Sequence, residues 1–332
     1  MKTLLLAYNK PRQKNLLLEH ISSYEMIDAV PIFRFRSKLL GRLSRLFIRY
    51  WPSAMGPWLG SWIKDLDAYD QCVCFAGRYT PSILKFLSDR CQNLRLIEYY
   101  WDKISISQYP IVKSPAYENW TFDKADAQQY HMHYNPQFYV NNIELGHVDL
   151  DYDVCFVGAD REGTWPQRVT LVNKCYEAFC KEGLKCFFYL VSESAFANPS
   201  ITHKTRLSEE QYLKHASQSR ALLEIVQPGQ EWLTLRPLLA MCNSKKLITN
   251  NPYIVDEKFY SSENVFVLGM DSLSILPSFI ESPFVPIRQD ILDFYNVDSW
   301  CNRFYETSAS NPGNGAGFSS YVLKTINHEA MK

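Results

Sequence analysis

The sequence has no Gly-x-Gly-x-x-Gly after an apolar run, no Gly-rich Walker loop, no Gly-x-Ser-x-Gly and no His-Glu-x-x-His. It therefore offers no dinucleotide fingerprint, P-loop, serine-hydrolase elbow or zincin helix. Nine cysteines are scattered without a pair of Cys-x-x-Cys units, which argues against a zinc ribbon. Their odd number and lack of framework fit a reducing compartment. Charge of neither sign is in excess: 35 basic residues balance 35 acidic ones, so a nucleic-acid binder working by bulk positive charge is disfavoured. No run of eighteen apolar residues is present to span a bilayer. The apolar run from Leu4 is too short for a signal-peptide core, so a cytoplasmic location is expected.

What is present is enough apolar residue, 46% of 332, for more than one core, and the length suggests two domains. Aromatics reach 14%. They suit a sugar- or lipid-binding cleft and equally an ordinary core or domain interface.

The most informative stretch is ALLEIVQPGQEWLTLRPLLAMCNSKKLITNN, residues 221–251. Ala221 to Val226 has strand length, Pro228-Gly229 breaks it, Leu235 to Cys242 reads as a helix, and Lys246 to Thr249 starts another strand. That is one βαβ unit. Ligands of open α/β sheets sit at strand carboxyl ends and helix N-termini. The residues there are Gln227, Gly229, Gln230, Glu231 and Thr234 before the helix, Arg236 in its first turn, and Asn250 and Asn251 after the next strand. Pro237 suits a first turn. Such a helix start favours an anion; the bland alternative is a Pro-Gly turn beside a solvated arginine.

Strand and helix patterns alternate elsewhere too, which implies parallel sheets. Strands are expected at Thr3 to Tyr8, Ile32 to Phe35, Gln71 to Ala76 and Leu94 to Tyr100. Glu98 and Asp102 then fall at or near a carboxyl edge. Trp120 to Tyr139 reads as an aromatic, polar bridge. A second unit begins at Tyr152, with a strand closing on Gly158, a loop carrying Asp160 and Arg161, and a helix from Pro166 stopped by Gly183. Ser208 with Gln211 forms a capping box, and one closing helix is expected over Gln289 to Tyr305.

Lys38, Arg42, Arg45 and Arg49 are spaced to share one helix face, beside a stripe of Leu39, Leu43, Leu46 and Tyr50. This is either a membrane-surface helix or one packed by its leucines onto the sheet, with its arginines in water. His131 and His133 have no third ligand in register, so no metal site is expected. Asp65-x-Asp67 and Asp149-x-Asp151 precede strands, at the wrong edge for chemistry.

The run QPGQEWLTLRPLLAMCNSKKLITNN, the bridge FDKADAQQYHMHYNPQFY and the strand end YYWD resemble GT-B glycosyltransferases of bacterial lipopolysaccharide and capsule gene clusters. That resemblance implies an α/β fold of two Rossmann-like domains facing a cleft. It implies an N-terminal acceptor-side domain over 1–115, a bridge over 116–151 and a nucleotide-sugar domain over 152–288. A closing helix over 289–306 would return to the first domain, with a flexible tail over 307–332. The implied activity is metal-independent transfer of a sugar from a nucleotide-activated donor to a glycan or lipid-linked acceptor, with no cofactor beyond the donor. Arg161, Gly229, Gln230, Glu231, Thr234, Arg236, Asn250 and Asn251 would bind the donor, with Lys246 a further candidate for the diphosphate. Asp102, with Glu98 behind it, would be the catalytic base, and Lys38, Arg42, Arg45 and Arg49 would touch the inner face of an anionic membrane.

Two departures stand out. The family's glutamate in the donor-site helix is Leu239 here, and a small residue after the Pro-Gly-Gln loop is replaced by Glu231-Trp232. A catalytically degenerate binding subunit is therefore the alternative reading, and a sugar-nucleotide epimerase of two Rossmann-like domains is a third.

Overall fold

The computed structural model describes residues 1–8, 16–34, 38–140, 143–146, 148–160, 166–227, 230 and 232–309; side chains at 16, 17, 38, 39 and 306–309 are not described. In chain order the first half contains β1 (Thr3–Ala7), α1 (Leu16–Ile21), β2 (Ile27–Pro31), α2 (Lys38–Tyr50), β3 (Gln71–Phe75), α3 (Thr80–Ser88), β4 (Arg95–Tyr100), α4 (Ile104–Ser107), β5 (Glu118–Thr121), α5 (Lys124–Gln129) and β6 (His133–Tyr134). The second half contains β7 (Tyr152–Ala159), α6 (Pro166–Lys181), β8 (Cys186–Val191), β9 (Thr202–His203), α7 (Glu209–Ser217), β10 (Ser219–Glu224), α8 (Leu235–Cys242), β11 (Lys246–Thr249), β12 (Val265–Val267) and α9 (Leu276–Glu281). Helices α10 (Gln289–Tyr295) and α11 (Val297–Ala309) follow.

The strands form two six-stranded sheets, ordered β2-β1-β3-β4-β5-β6 and β12-β11-β10-β7-β8-β9, and every pairing within them is parallel. The second order is that of a doubly wound, Rossmann-like sheet, with its reversal of winding between β7 and β10. Continuous apolar runs build these strands because both faces are covered. Leu4, Leu6, Cys72 and Cys74 pack on one face of the first sheet, while Leu5, Val73, Ile97 and Tyr99 pack on the other. In the second sheet Leu222 and Leu247 face α8, and Ala221, Leu223 and Ile248 join the core with α6.

The structure differs from expectation in three places. The second strand runs over Ile27–Pro31, not Ile32 to Phe35, because after Pro31 the chain turns and Phe33 bridges antiparallel to Leu59. The aromatic stretch expected to link domains supplies β5 and β6, and buries Trp120, Phe122 and Phe138 in the first core. Its apolar content alternates with polar residues, which hides its burial from a reading by runs. The closing helix is two helices, broken where Asn296 takes an extended conformation. There Tyr139 accepts from Val297 N at 3.0 Å and donates to Tyr295 O at 2.6 Å, fastening the two chain crossings together. Helix α11 then places Trp300, Cys301 and Phe304 in the first sheet's core. No helix among the described residues is long and apolar enough to cross a membrane.

Candidate functional site

A cleft of about 640 Å³ lies against the carboxyl edges of both sheets. Trp101 and Asp102, which follow β4, line it from the first half. From the second half come Arg168 on α6, Glu224 at the end of β10 with Ile225 to Gln227 after it, and Thr234 and Arg236 at the start of α8. These surround the β7/β10 reversal, where parallel sheets open a crevice between oppositely directed connections.

At the bottom of the cleft is a polar cluster built from four elements. Glu224 is fully buried at the end of β10. One of its carboxyl oxygens accepts the Thr234 hydroxyl at 2.5 Å and the other accepts the Thr249 hydroxyl at 2.6 Å. Burial raises its pKa above the usual carboxylate range, against the pull of both hydroxyls and of Arg236 and Arg168. Arg236 donates through Nη1 to Leu223 O at 3.0 Å and through Nη2 to Val157 O at 2.5 Å. It thereby bridges β10 and β7 across the reversal, with Phe156 and Tyr212 rings 5.6 and 6.0 Å from its guanidinium carbon.

Arg168 donates through Nε to Ile225 O at 3.0 Å and through Nη1 to Ala159 O at 2.7 Å. Its Nη2 has no hydrogen-bond partner among the described residues. A Cβ on Gly158 would meet the Phe156 ring at 2.7 Å first and that Nη2 at 3.3 Å, so the glycine makes room chiefly for the phenylalanine and only slightly for the guanidinium. Burial, and then the like charge of Arg236, lower the Arg168 pKa to about 10. It remains a cation at neutral pH.

The expected site residues divide as follows. Gln230, Thr234 and Arg236 line the cleft with Asp102. Gly229, Glu231 and Arg161 lie outside the described residues. Asn250 serves the backbone: its amide accepts from Val226 N at 2.7 Å and donates to Val226 O at 3.0 Å. Asn251 is buried, caps the single-turn helix Pro252–Asp256 by accepting from Tyr253 N, and donates to Trp232 O at 3.4 Å. Lys246 sits at the amino end of β11, where its ammonium donates to Glu263 O, Ser282 Oγ and Pro283 O. Glu98 is buried inside the first sheet and does not line the cleft. It accepts from Asn119 at 2.9 Å, and burial pushes its pKa up to about 8. Leu239 lines the cleft as a buried apolar side chain. Trp232, the bulky residue after the Pro-Gly-Gln loop, meets the first half directly: Lys103 lies over its ring at 5.2 Å and Phe122 packs edge-on at 6.2 Å.

Sequence reasoning passed over Arg168 and Glu224. Both had a signal: an arginine in the first turn after a strand-loop unit, and a lone carboxylate in the apolar run ALLEIV. On the basic helix, Arg42, Arg45 and Arg49 are exposed, and so are Leu43, Leu46 and Tyr50, while Ser44 and Ile48 face inward. The Lys38 side chain is outside the described residues. His133 stacks on Trp120 at 4.7 Å. No protein-family model matches this sequence, and no curated protein matches it.

Proposed function

We propose that the protein is a GT-B-type glycosyltransferase that moves a sugar from a nucleotide-activated donor to a lipopolysaccharide or capsule acceptor without a metal ion. One observation carries the reading: a single cleft is lined by the carboxyl edges of two parallel sheets, with a carboxylate on one side and two arginines on the other. The donor diphosphate then lies over the start of α8, at the positive end of the helix dipole and beside Nη2 of Arg168, with the backbone N–H of Arg236 already held by Thr234 Oγ1. Arg236 contributes positive charge from beneath, two of its side-chain N–H groups being held by strand carbonyls. Charge developing on the leaving nucleotide is stabilised by these fixed groups. Asp102 takes the proton of the acceptor hydroxyl as the glycosidic bond forms. The protein works in the cytoplasm and touches the anionic inner membrane face through Arg42, Arg45 and Arg49, next to a lipid-linked acceptor.

A second reading, a binding subunit without catalysis, is favoured by Leu239, which puts an apolar side chain where the glycosyltransferases that the sequence resembles have a ribose-binding glutamate. Asp102→Asn separates the two. In the enzyme, this variant keeps donor binding and loses sugar transfer by roughly 10²–10⁴-fold, the usual worth of a general base. A parent protein that binds sugar nucleotides and transfers nothing to any glycan acceptor supports the binding subunit.

A further inference from the structure

Helix α2 has three faces rather than two. Ser44 and Ile48 are buried. Arg42, Arg45 and Arg49 are exposed on a second face. Leu40, Leu43, Leu46 and Tyr50 form a third, and are 44%, 46%, 53% and 60% exposed. At about 3.6 residues per turn the basic and apolar stripes run side by side along the outward surface. Trp51, at the helix end, is 59% exposed and packs against Phe47 at 5.3 Å and Tyr50 at 6.0 Å. A continuous apolar strip this long is a poor fit to water, and an indole-phenol pair at its end is characteristic of a membrane interface.

We infer that α2 lies in the surface of an anionic bilayer, with Leu40, Leu43, Leu46, Tyr50 and Trp51 inserted below the headgroups and the arginines held at them. This extends the charge contact proposed above to an apolar anchor, and it does not depend on the donor chemistry of the cleft. Charge selects the occupant. The segment KLLGRLSRLFIRY holds four cations and no acidic residue, in a chain whose net charge is zero. A second copy docked by two-fold symmetry would bring these arginines against one another. Anionic lipid complements them, and interfacial helices combine a basic edge with Leu and Trp in this way.

The test uses full-length protein and vesicles of phosphatidylglycerol and phosphatidylcholine at roughly 3:7, an anionic surface like that of a cytoplasmic leaflet. Binding is measured by sedimentation at low salt and at about 1 M salt, where the screening length falls to about 3 Å. The parent is expected to keep a salt-resistant bound fraction, and Leu43→Ser/Leu46→Ser to lower vesicle partitioning at high salt roughly tenfold or more. Trp51→Phe should remove a blue shift of the emission seen when vesicles are added to the parent. Near-UV circular dichroism establishes that each variant is folded. Complete release of the parent at high salt overturns the apolar anchor. So does a dimer in solution that the double serine variant dissolves, which would assign the strip to a second copy. Stabilisation by sugar nucleotides, measured on the same samples, reports the cleft separately, so either proposal can fail without the other.

Discussion

Arg236, in the first turn of α8, donates a hydrogen bond to the carbonyl of Val157, 79 residues earlier near the end of β7. With its second bond to Leu223 O, the guanidinium closes the gap between two strands whose connections leave in opposite directions. An arginine expected to meet a ligand thus also holds the floor of the cleft.

Removing it therefore costs stability. Arg236→Ala leaves two strand carbonyls unpaired and the buried Glu224 without its nearest positive charge, at a cost of about 2–4 kcal/mol. Arg236→Lys, able to reach one carbonyl, recovers part of this. Equilibrium denaturation of the three proteins checks the order; equal stability of Arg236→Ala and the parent contradicts the bridging role.

Thr234→Val replaces the hydroxyl that Glu224 accepts with a methyl group. A buried carboxyl oxygen loses its donor, and the protein loses about 1–3 kcal/mol. The double variant Thr234→Val/Glu224→Gln should fall short of the summed single losses, because both act on one contact. Strict additivity in a double-mutant cycle would show that the two do not interact.

Glu98 gives the fold a pH dependence of known sign. Its carboxyl has a folded pKa of about 8 against an ordinary 4.5, so the folded state holds the proton more tightly than the unfolded state. This contribution is fully present below about pH 4.5, declines by up to about 1.4 kcal/mol per unit between the two values, and is lost above pH 8. Glu98→Gln mimics the neutral acid and should flatten the profile across that window. A parent whose stability rises from pH 5 to pH 8, with no change on substitution, would show that Glu98 is ionised throughout.

Helix α11 is expected to be essential to the first core. Trp300 is fully buried, edge-on to Tyr99 at 4.8 Å and 4.4 Å from Phe138. Trp300→Ala should cost about 3–5 kcal/mol, measured by denaturation, while a surface change on the same helix costs little.

The parallel α/β character was legible because QCVCF, LRLIEYY and ALLEIV are apolar runs of strand length followed by helix starts. The last strands of the first sheet were not, because Trp120, Phe122 and Phe138 are interleaved with Asp123, Asp126 and Gln137, all buried and polar. The break at Asn296 carried no proline or glycine, and its cause is tertiary: the backbone of Val297 pairs with Tyr139. In the cleft, spacing alone brought out Thr234 and Arg236. It could not foresee that Asn250 and Asn251 would spend their amides on Val226 and Trp232. The outward turn of the leucines on α2 was hidden for a similar reason: a regular apolar stripe reads as a core face, and only the packing of Ser44 and Ile48 inward reveals the other choice.

The central claim is that the cleft at the β7/β10 reversal binds a nucleotide sugar. Thermal denaturation of the parent and of Arg168→Ala with a panel of uridine, guanosine, thymidine and cytidine diphosphate and monophosphate sugars tests it most directly. At least one compound should stabilise the parent, by about 2.7 kcal/mol at a hundredfold excess over its dissociation constant. Arg168→Ala should lose most of that gain while keeping the parent's circular dichroism. A parent that gains no stability from any of the panel, or an Arg168→Ala variant that is stabilised as fully as the parent, would contradict it.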